Sequence, residues 1–189
     1  MSGPGSSTLG SPFDRESWLT RACRVESPNA DERPEGAEIL LLVIHNISLP
    51  PGAFGGGAVV DLFLNRLDCT AHPYYARLRG LRVSSHFFLR RDGELLQFVA
   101  CDRRAWHAGE SQWRGRRRCN DFSIGIELEG TDESPYTDLQ YSELARLTLE
   151  VQTRYAIQDI AGHSDIAPGR KTDPGPAFDW TRYRALLAR

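Results

Sequence analysis

The sequence has a single lysine, no long apolar run and no closely spaced cysteines. Of its 23 lysine and arginine residues only Lys171 is a lysine, and the formal net charge is −2. Such a balanced charge argues against a general binder of nucleic acid or of anionic membranes. No stretch approaches the roughly 20 apolar residues that a membrane-spanning helix requires. These absences leave an ordinary globular protein of 189 residues.

The cysteines and the N-terminus bear on the cellular compartment. The four cysteines are widely spaced and form no CxxC pair, so we expect free thiols, although an even count permits disulfides. Residues 1–11 are rich in Gly, Ser and Pro and lack the basic start and apolar centre of a secretory signal. We therefore expect a flexible leader over 1–11 and a cytoplasmic protein.

Hydrophobic patterning predicts a single domain in which strands and helices mix. Short apolar or alternating runs indicate strands, and apolar residues spaced by three and four indicate helices. Asp92-Gly93, between two strand patterns, is a strong hairpin signal. We expect an α/β (α+β) domain over residues 12–189, with a central mixed β-sheet flanked by helices. The predicted strands cover 39–44, 83–90, 94–100 and 123–129, and the predicted helices cover 59–67, 137–157 and 180–187.

His45, His163 and Asp173 are the residues best placed to bind a metal. His45 ends a predicted buried strand, His163 follows the longest helix, and Asp173 lies in a loop stiffened by Pro and Gly. Two histidines and one aspartate can supply three zinc ligands and leave a fourth position open, as in catalytic zinc sites. Histidines that are merely hydrogen-bonded are the alternative. No local spacing motif joins the three residues, so the pattern alone leaves both interpretations open.

Lys171 and Glu127 are candidates for catalytic roles beside such a metal. Lys171 lies two residues from Asp173, so in an extended loop both side chains fall on the same side. It could stabilise an oxyanion there, or it could be a surface lysine. Glu127 and Glu129 share one side of their strand, where a carboxylate is costly unless it is paired or functional. One of them could act as a general base, or both could face solvent on an edge strand.

Two other segments carry arginine and aromatic residues. The run RGRRR over 114–118 could contact phosphate, but in a net-acidic chain we expect a solvated loop, with one arginine available for a ligand carboxylate. Trp106 precedes His107 in a loop. Its ring could stack on a sugar, or it could pack in the core.

Five stretches of the sequence form a specific set, although each alone is unspecific. They are VIHNISLPPG over 43–52, RRDGE over 90–94, RAWHAG over 104–109, CNDFSIGIELEG over 119–130 and GHSDIAPGRKTDPGP over 162–176. Together they resemble the N-acetylmuramoyl-L-alanine amidase family, the zinc amidases that include T7-type lysozymes and peptidoglycan recognition proteins. The resemblance runs from about Trp18 to Leu187 and is closest to the cytoplasmic AmpD-type branch, which acts on 1,6-anhydro-N-acetylmuramoyl-L-alanine.

The resemblance implies a T7-lysozyme-like amidase fold and one zinc ion per chain, bound by His45, His163 and Asp173. It also implies that Glu127 is the catalytic carboxylate and that Lys171 assists at the oxyanion. The residues expected to grip the sugar and the peptide carboxylates are Asn46, Arg82, Trp106, Arg118 and Arg170.

The sequence departs from the wider family at two positions. Wall-degrading relatives often have Cys as the third ligand, where this chain has Asp173. They also place Tyr before the histidine of the hairpin strand, where this chain has Ser85 before His86. By resemblance to the AmpD-like branch, the second departure assigns the acid/base role to Glu127. It leaves His86 as a structural, hydrogen-bonded residue.

The expected reaction is hydrolysis of the amide between (1,6-anhydro-)N-acetylmuramic acid and L-Ala of the stem peptide in cytoplasmic muropeptides, for cell-wall recycling. We expect a small muropeptide as partner, no nucleic acid, no membrane and a monomer. Three rivals remain. One is an amidase of intact wall, which the missing signal disfavours. Another is a non-catalytic muropeptide sensor, which usually lacks a zinc ligand. The third is a nucleic-acid-binding module that uses 114–118.

Overall fold

The computed structural model describes residues 11–189, and its elements follow the predicted order. The predicted leader over 1–11 lies outside the described residues except for Ser11. The strands are β1 (Cys23–Arg24), β2 (Ala30–Asp31), β3 (Leu41–Ile47), β4 (Phe87–Leu89), β5 (Leu95–Gln97), β6 (Arg104–Ala105), β7 (Gln112–Trp113), β8 (Arg116–Arg117), β9 (Ser123–Glu129) and β10 (Asp159–Gly162). The helices are α1 (Ala58–Phe63), α2 (Pro73–Ala76), α3 (Asp138–Gln152), α4 (His163–Ile166) and α5 (Trp180–Leu187).

A six-stranded mixed sheet forms the centre of the fold, in the order β1-β5-β4-β9-β3-β10. The last four strands run parallel to one another, whereas β5 is antiparallel to β4 and parallel to β1. The predicted hairpin is β4–β5, with Leu89 opposite Leu95 and Gly93 in the turn at φ +89°. The mixed sheet that the sequence predicts is confirmed. Two smaller antiparallel pairs, β2–β6 and β7–β8, lie outside this sheet.

The sheet has apolar packing on both faces. Ile44, Ile126 and Leu128 point to the face covered by α3 and α5 and belong to the same cluster as Leu144 and Tyr183. On the other face α1 packs its buried apolar residues against β4, β5 and the chain that follows β5. Successive strand residues point to opposite faces of a sheet. His45, which follows Ile44 on β3, and Glu127, which follows Ile126 on β9, therefore face away from α3.

Helix ends explain where the predicted helices were too long. Helix α3 begins at a capping box, in which the Thr137 side chain accepts from the Gln140 N–H and the Gln140 side chain accepts from the Thr137 N–H. The prediction extended α3 to 157, but Gln158 N–H donates to the Leu40 carbonyl and directs the chain into β10. Helix α1 ends at Phe63 because Asn65 adopts the left-handed conformation at φ +59°.

Two further expectations concern the cysteines and membranes. All four cysteines are free in the structure, which confirms the expectation of free thiols. Within residues 11–189, no helix has the length and apolar character needed to cross a bilayer.

Candidate metal centre and active site

The carboxyl ends of three adjacent parallel strands carry the candidate base and two of the three candidate ligands, His45 and His163. Strands β9, β3 and β10 lie side by side, with His45 opposite Glu127 and Ile44 opposite Gly162. His163 follows Gly162 as the first residue of α4 and so lies next to His45. Sites in open sheets with parallel strands form at this edge, beyond the carboxyl ends of the strands. The topology therefore brings together residues that are up to 118 positions apart.

His45, His163 and Asp173 converge on one point. His45 Nδ1 lies 2.9 Å from His163 Nδ1, and Asp173 Oδ2 lies 3.1 Å from the former and 3.0 Å from the latter. Ligand atoms around a tetrahedral zinc ion, with bonds of about 2.0–2.1 Å, are roughly 3.3 Å apart. The three side chains could therefore hold a metal ion. The three residues that the sequence singles out therefore lie together, and their binding of zinc stays a prediction.

The charge states of these groups suit a divalent cation. Burial lowers the pKa of His45 to about 4, so the imidazole is neutral at pH 7 and keeps a lone pair for coordination. Burial by itself would raise the pKa of Asp173, but its contacts with His163 and His45 outweigh burial and lower this pKa below its usual range. Asp173 is therefore ionised. A neutral imidazole and a carboxylate are the ligand forms that zinc takes.

His163 and Asp173 are held by backbone contacts. His163 Nε2 lies 3.1 Å from the Ala108 carbonyl oxygen, which can only accept, so Nε2 donates and Nδ1 keeps its lone pair. Ser164 N–H donates to the Asp173 carbonyl over 2.9 Å. A Cβ at position 162 would lie 2.9 Å from Pro174 Cδ, so Gly162 permits this close approach of the two segments.

Glu127 and Glu129 occupy the same face of β9 but have different surroundings. Strand β9 lies between β4 and β3, so the edge-strand interpretation of both residues is wrong. Glu129 accepts from the Gly55 N–H over 2.6 Å and from the Arg91 N–H over 3.1 Å. Glu127 Oε2, in contrast, is buried and has no hydrogen-bond partner among the described residues. Burial, and secondarily the Asp173 carboxylate, raise the pKa of Glu127 well above its ordinary value, whereas Lys171 acts in the opposite direction.

A cavity of about 600 Å³ opens over these groups. This volume lies within the range of sites that bind small molecules, roughly 300–1,000 Å³. Leu62, Leu78 and Leu81 contribute an apolar side, and Asp132 and Glu133 add carboxylates. The sequence-predicted site residues that line the cavity are Asn46, Trp106, Glu127, His163, Arg170, Lys171 and Asp173.

The sequence matches a known family over most of its length. Residues 35–176 match the family model described as N-acetylmuramoyl-L-alanine amidase. The chain belongs to that amidase family. It is 58% identical over 174 residues to the 1,6-anhydro-N-acetylmuramyl-L-alanine amidase AmpD of Citrobacter freundii, a match that covers 91% of this chain and 93% of that protein.

Solved structures extend the likeness to the fold of this amidase. A crystal structure of a selenomethionine AmpD derivative is 58% identical, with a TM-score of 0.90, and the match covers 93% of this chain and 98% of that one. The AmiD amidase of Escherichia coli, solved with the substrate anhydro-N-acetylmuramic acid-L-Ala-D-γ-Glu-L-Lys, is 30% identical with a TM-score of 0.57. That match covers 84% of this chain and 65% of the AmiD chain. The amidase fold expected from the resemblance is confirmed.

Two of the predicted substrate contacts lie away from the main cavity of the amidase. Arg82 is exposed and lines a smaller neighbouring cavity with Leu78 and Leu81. Arg118 is exposed, and its Nε lies 3.3 Å from Asp121 Oδ2. Neither arginine is among the residues that line the main cavity.

The other predicted contacts have partners within the amidase. Asn46 donates to Asp132 Oδ1 over 2.7 Å, and Arg170 donates to the carbonyls of Ala108 and Glu110 over 2.7 and 2.6 Å. Trp106 is half-buried at the cavity wall, so it neither stands free in solvent nor lies in the core. Asn46 and Arg170 are thus held in place at the cavity, whereas Trp106 Nε1 has no hydrogen-bond partner among the described residues.

Arginines of the basic run over 114–118 make contacts within the amidase. Arg114 donates to Asp159 over 2.7 Å, and the Arg116 guanidinium lies 4.1 Å from the centre of the Phe122 ring. Arg117 lies 3.8 Å from Glu110. The run therefore forms a hairpin of strands β7 and β8 with local charge partners.

Sequence reasoning missed one residue that contacts a candidate metal ligand. His107 Nδ1 lies 2.9 Å from His45 Nε2, and His107 is buried. The sequence placed His107 only beside Trp106 in a loop. The available signal was Gly125, because a side chain on that strand residue would collide with the His107 ring. That signal can be interpreted only when the fold is known. His86 is buried and hydrogen-bonded, as expected.

Proposed function

We propose that this amidase hydrolyses the amide joining (1,6-anhydro-)N-acetylmuramic acid to L-Ala of a stem peptide, with zinc held by His45, His163 and Asp173. The observation that carries the proposal is the convergence of three ligand atoms within 3.1 Å of one another. The buried carboxylate of Glu127 faces the same cavity. Support for the substrate comes from the 58% identity with AmpD and from the anhydromuropeptide bound by AmiD.

The proposed metal site uses three protein ligands and holds one ion per chain. His45 and His163 would each supply Nδ1, and Asp173 would supply a carboxylate oxygen. Three protein ligands are typical of catalytic zinc sites, whereas structural sites have four. Bound there, zinc would supply Lewis acidity that polarises the amide carbonyl and acidifies water.

Glu127 is proposed to move the proton. Its unpartnered oxygen can accept a proton from the attacking water, and a raised pKa is the property expected of a carboxylate that must later return that proton. The bond from the water oxygen to the carbonyl carbon forms, the bond from carbon to nitrogen breaks, and the proton goes to the leaving amine. The net products are a lactyl carboxylate and a free peptide amine.

Lys171 is proposed to stabilise the charge that develops on the carbonyl oxygen. It lines the cavity on the loop that also carries Asp173. A fixed cation next to a developing oxyanion lowers the barrier of acyl transfer, because it interacts more strongly with the transition state than with the neutral amide.

Five residues are proposed to contact the sugar and the peptide. Asn46, Trp106 and Arg170 are supported by their place on the cavity wall. Arg82 and Arg118 are exposed, and Arg82 lines a cavity that shares Leu78 and Leu81 with the main one. Arginine forks suit carboxylates, which stem peptides carry.

We further propose that the amidase domain spans 12–189 and that the protein acts as a monomer in the cytoplasm, on muropeptides recovered from the cell wall. The similarity to AmpD over 91% of the chain supports the domain limits and the recycling role.

Product analysis tests the proposal. The protein is incubated with purified anhydromuropeptide and with intact sacculi, each with and without a chelator, and the products are identified by mass. We expect free peptide from the muropeptide only, and none with the chelator. Release from sacculi would favour an amidase of intact wall, and binding without turnover would favour a muropeptide sensor.

A ligand variant tests the metal. Asp173→Ala removes one of three ligands, so we expect loss of both bound zinc and activity. Zinc content is measured by mass spectrometry after exhaustive dialysis. Unchanged turnover of a zinc-free Asp173→Ala protein would contradict the metal proposal.

A further inference from the structure

His107 lines the main cavity beside the candidate metal centre, and it contacts His45 on the side of that ring that faces away from Asp173. The His45 ring has two nitrogens, of which Nδ1 faces the other two candidate ligands and Nε2 lies 2.9 Å from His107 Nδ1. A histidine can coordinate a metal through Nδ1 only when its proton is on Nε2. Which of the two rings donates in the contact between His45 and His107 therefore decides whether His45 is ready to bind.

The direction of this contact follows from a chain of partners that ends at a backbone carbonyl. Ser123 Oγ donates its only proton to the Cys119 carbonyl over 2.6 Å. His107 Nε2 lies 3.2 Å from the same Ser123 oxygen, which has no second proton to give. His107 Nε2 must therefore carry the proton and donate to Ser123.

The second nitrogen of His107 is then an acceptor. His107 is buried, and its ring nitrogens meet only the Ser123 hydroxyl and the His45 ring. A neutral ring protonated on Nε2 has a bare Nδ1, so it accepts from His45 Nε2. The lone pair of His45 Nδ1 is left facing His163 and Asp173.

We infer that His107 is a positioning residue, which with Ser123 fixes the His45 ring in the orientation and protonation state that bind the metal. This inference rests on the proposed zinc site. Both ring nitrogens of His107 are used within the protein, so it has none left for substrate and is not a catalytic residue.

The fold provides a dedicated place for this ring. A Cβ at position 125 would lie 2.5 Å from His107 Cγ, a distance that real side chains do not tolerate. Gly125 lies on β9 two residues from both Ser123 and Glu127. The next residue after His107 also takes part, because the Ala108 carbonyl accepts from His163 Nε2 over 3.1 Å. Residues 107 and 108 thus accept hydrogen bonds from Nε2 of both candidate histidine ligands, His45 and His163.

Nitrogen NMR of the imidazole rings tests the direction of these hydrogen bonds without a measurement of activity. The protein has five histidines, so the ring signals of a histidine-labelled sample can be assigned one by one. In the metal-free protein at neutral pH we expect His107 as the Nε2–H form. A His107 ring protonated on Nδ1 would overturn the inference.

The zinc affinity of three variants tests whether His107 and Ser123 strengthen metal binding by His45. His107→Phe keeps a ring but removes the acceptor, and loss of such an outer partner weakens metal binding by about 10–100-fold. Ser123→Ala frees His107 to change its protonated nitrogen, so we expect a smaller loss. Ser85→Ala is the matched control, since it also removes a buried hydroxyl that donates to a carbonyl, that of Gly125 at 2.8 Å, but this hydroxyl forms no hydrogen bond with His45 or His107. Affinity is measured by competition with a chromophoric chelator, and folding by circular dichroism.

The outcomes separate this inference from the proposed function. Wild-type zinc binding, weakened in His107→Phe and Ser123→Ala but not in Ser85→Ala, supports both. If all folded variants bind zinc as tightly as the wild type, the inference is wrong and the zinc site stands. If the wild-type protein binds no zinc, the proposed function is wrong. If His107→Phe fails to fold, the zinc affinities of Ser123→Ala and Ser85→Ala are compared instead, and a weaker affinity only in Ser123→Ala supports the inference.

Discussion

Replacing Glu127 by Gln should reduce activity and at the same time remove a source of instability. The substitution keeps the shape of the side chain but cannot take up a proton. General base catalysis contributes about 10²–10⁴-fold, so we expect the rate to fall by that factor. Zinc binding should be retained, because Glu127 is not one of the three candidate ligands.

The stability effect follows from the raised pKa of Glu127, which burial causes first and the Asp173 carboxylate second. Between the ordinary carboxyl pKa and this raised value, the folded protein holds a proton that the unfolded chain has lost. The free energy of unfolding of the wild type therefore falls as pH rises through this window, by up to about 1.4 kcal/mol per pH unit. The Glu127→Gln side chain does not titrate, so the free energy of unfolding of this variant does not fall in the window for this reason. We expect equal stability below the window and a more stable variant above it.

Urea unfolding of metal-free protein at a series of pH values measures the difference, since a bound cation would itself lower the pKa of Glu127. Glu129→Gln is the control. Its carboxylate accepts from two backbone N–H groups, so the variant should lose stability, by about 1–3 kcal/mol for an unsatisfied buried group, and should keep activity. Wild-type and Glu127→Gln curves that run parallel across pH would refute the reasoning.

Three further outcomes are expected. Lys171→Ala should keep zinc, shown by metal analysis, and lose about 10²–10³-fold in turnover, as when an oxyanion donor is removed; an unchanged rate would leave Lys171 a surface residue. Leu144→Ala should reduce the free energy of unfolding by about 2–5 kcal/mol, since Leu144 is fully buried between α3 and the sheet. Thr137→Ala should cost about 1 kcal/mol, because it removes the cap of α3. Denaturant melts measure both losses, and values near zero would contradict the packing and capping assignments.

The parts of the site that lie on strands could be predicted from the sequence. The apolar run before His45 indicates β3, although this strand covers Leu41–Ile47 and so continues past the predicted end at 44. The alternation around Glu127 indicates the side of β9 on which it lies. Predicted boundaries in the hairpin were poorer, because β4 covers only Phe87–Leu89 of the expected 83–90. Residues 83–86 make their backbone bonds irregularly, for example from Ser84 N–H to the Trp106 carbonyl.

Contacts between distant loops could not be predicted. The chain from Cys119 through Ser123 and His107 to His45 depends on the register of β3 with β9 and on the path of the loop before β9, neither of which a local pattern contains. The place of Arg118 in a basic run likewise did not predict its local partner, Asp121, whose Oδ2 lies 3.3 Å from Arg118 Nε.

The single lysine acquires a physical rationale from its neighbour. Arg170 uses one nitrogen to donate to two backbone carbonyls, of Ala108 and Glu110, so its planar guanidinium is fixed on the loop that holds His163. Lys171 follows it and lines the cavity. An arginine here would carry a rigid fork suited to carboxylates, whereas an ammonium is a compact charge with donors that rotate. A negative charge that develops on a single oxygen is stabilised better by an ammonium than by a guanidinium. Of these two adjacent cations, Arg170 fixes the loop through its two hydrogen bonds, and Lys171 is the one proposed to stabilise the oxyanion.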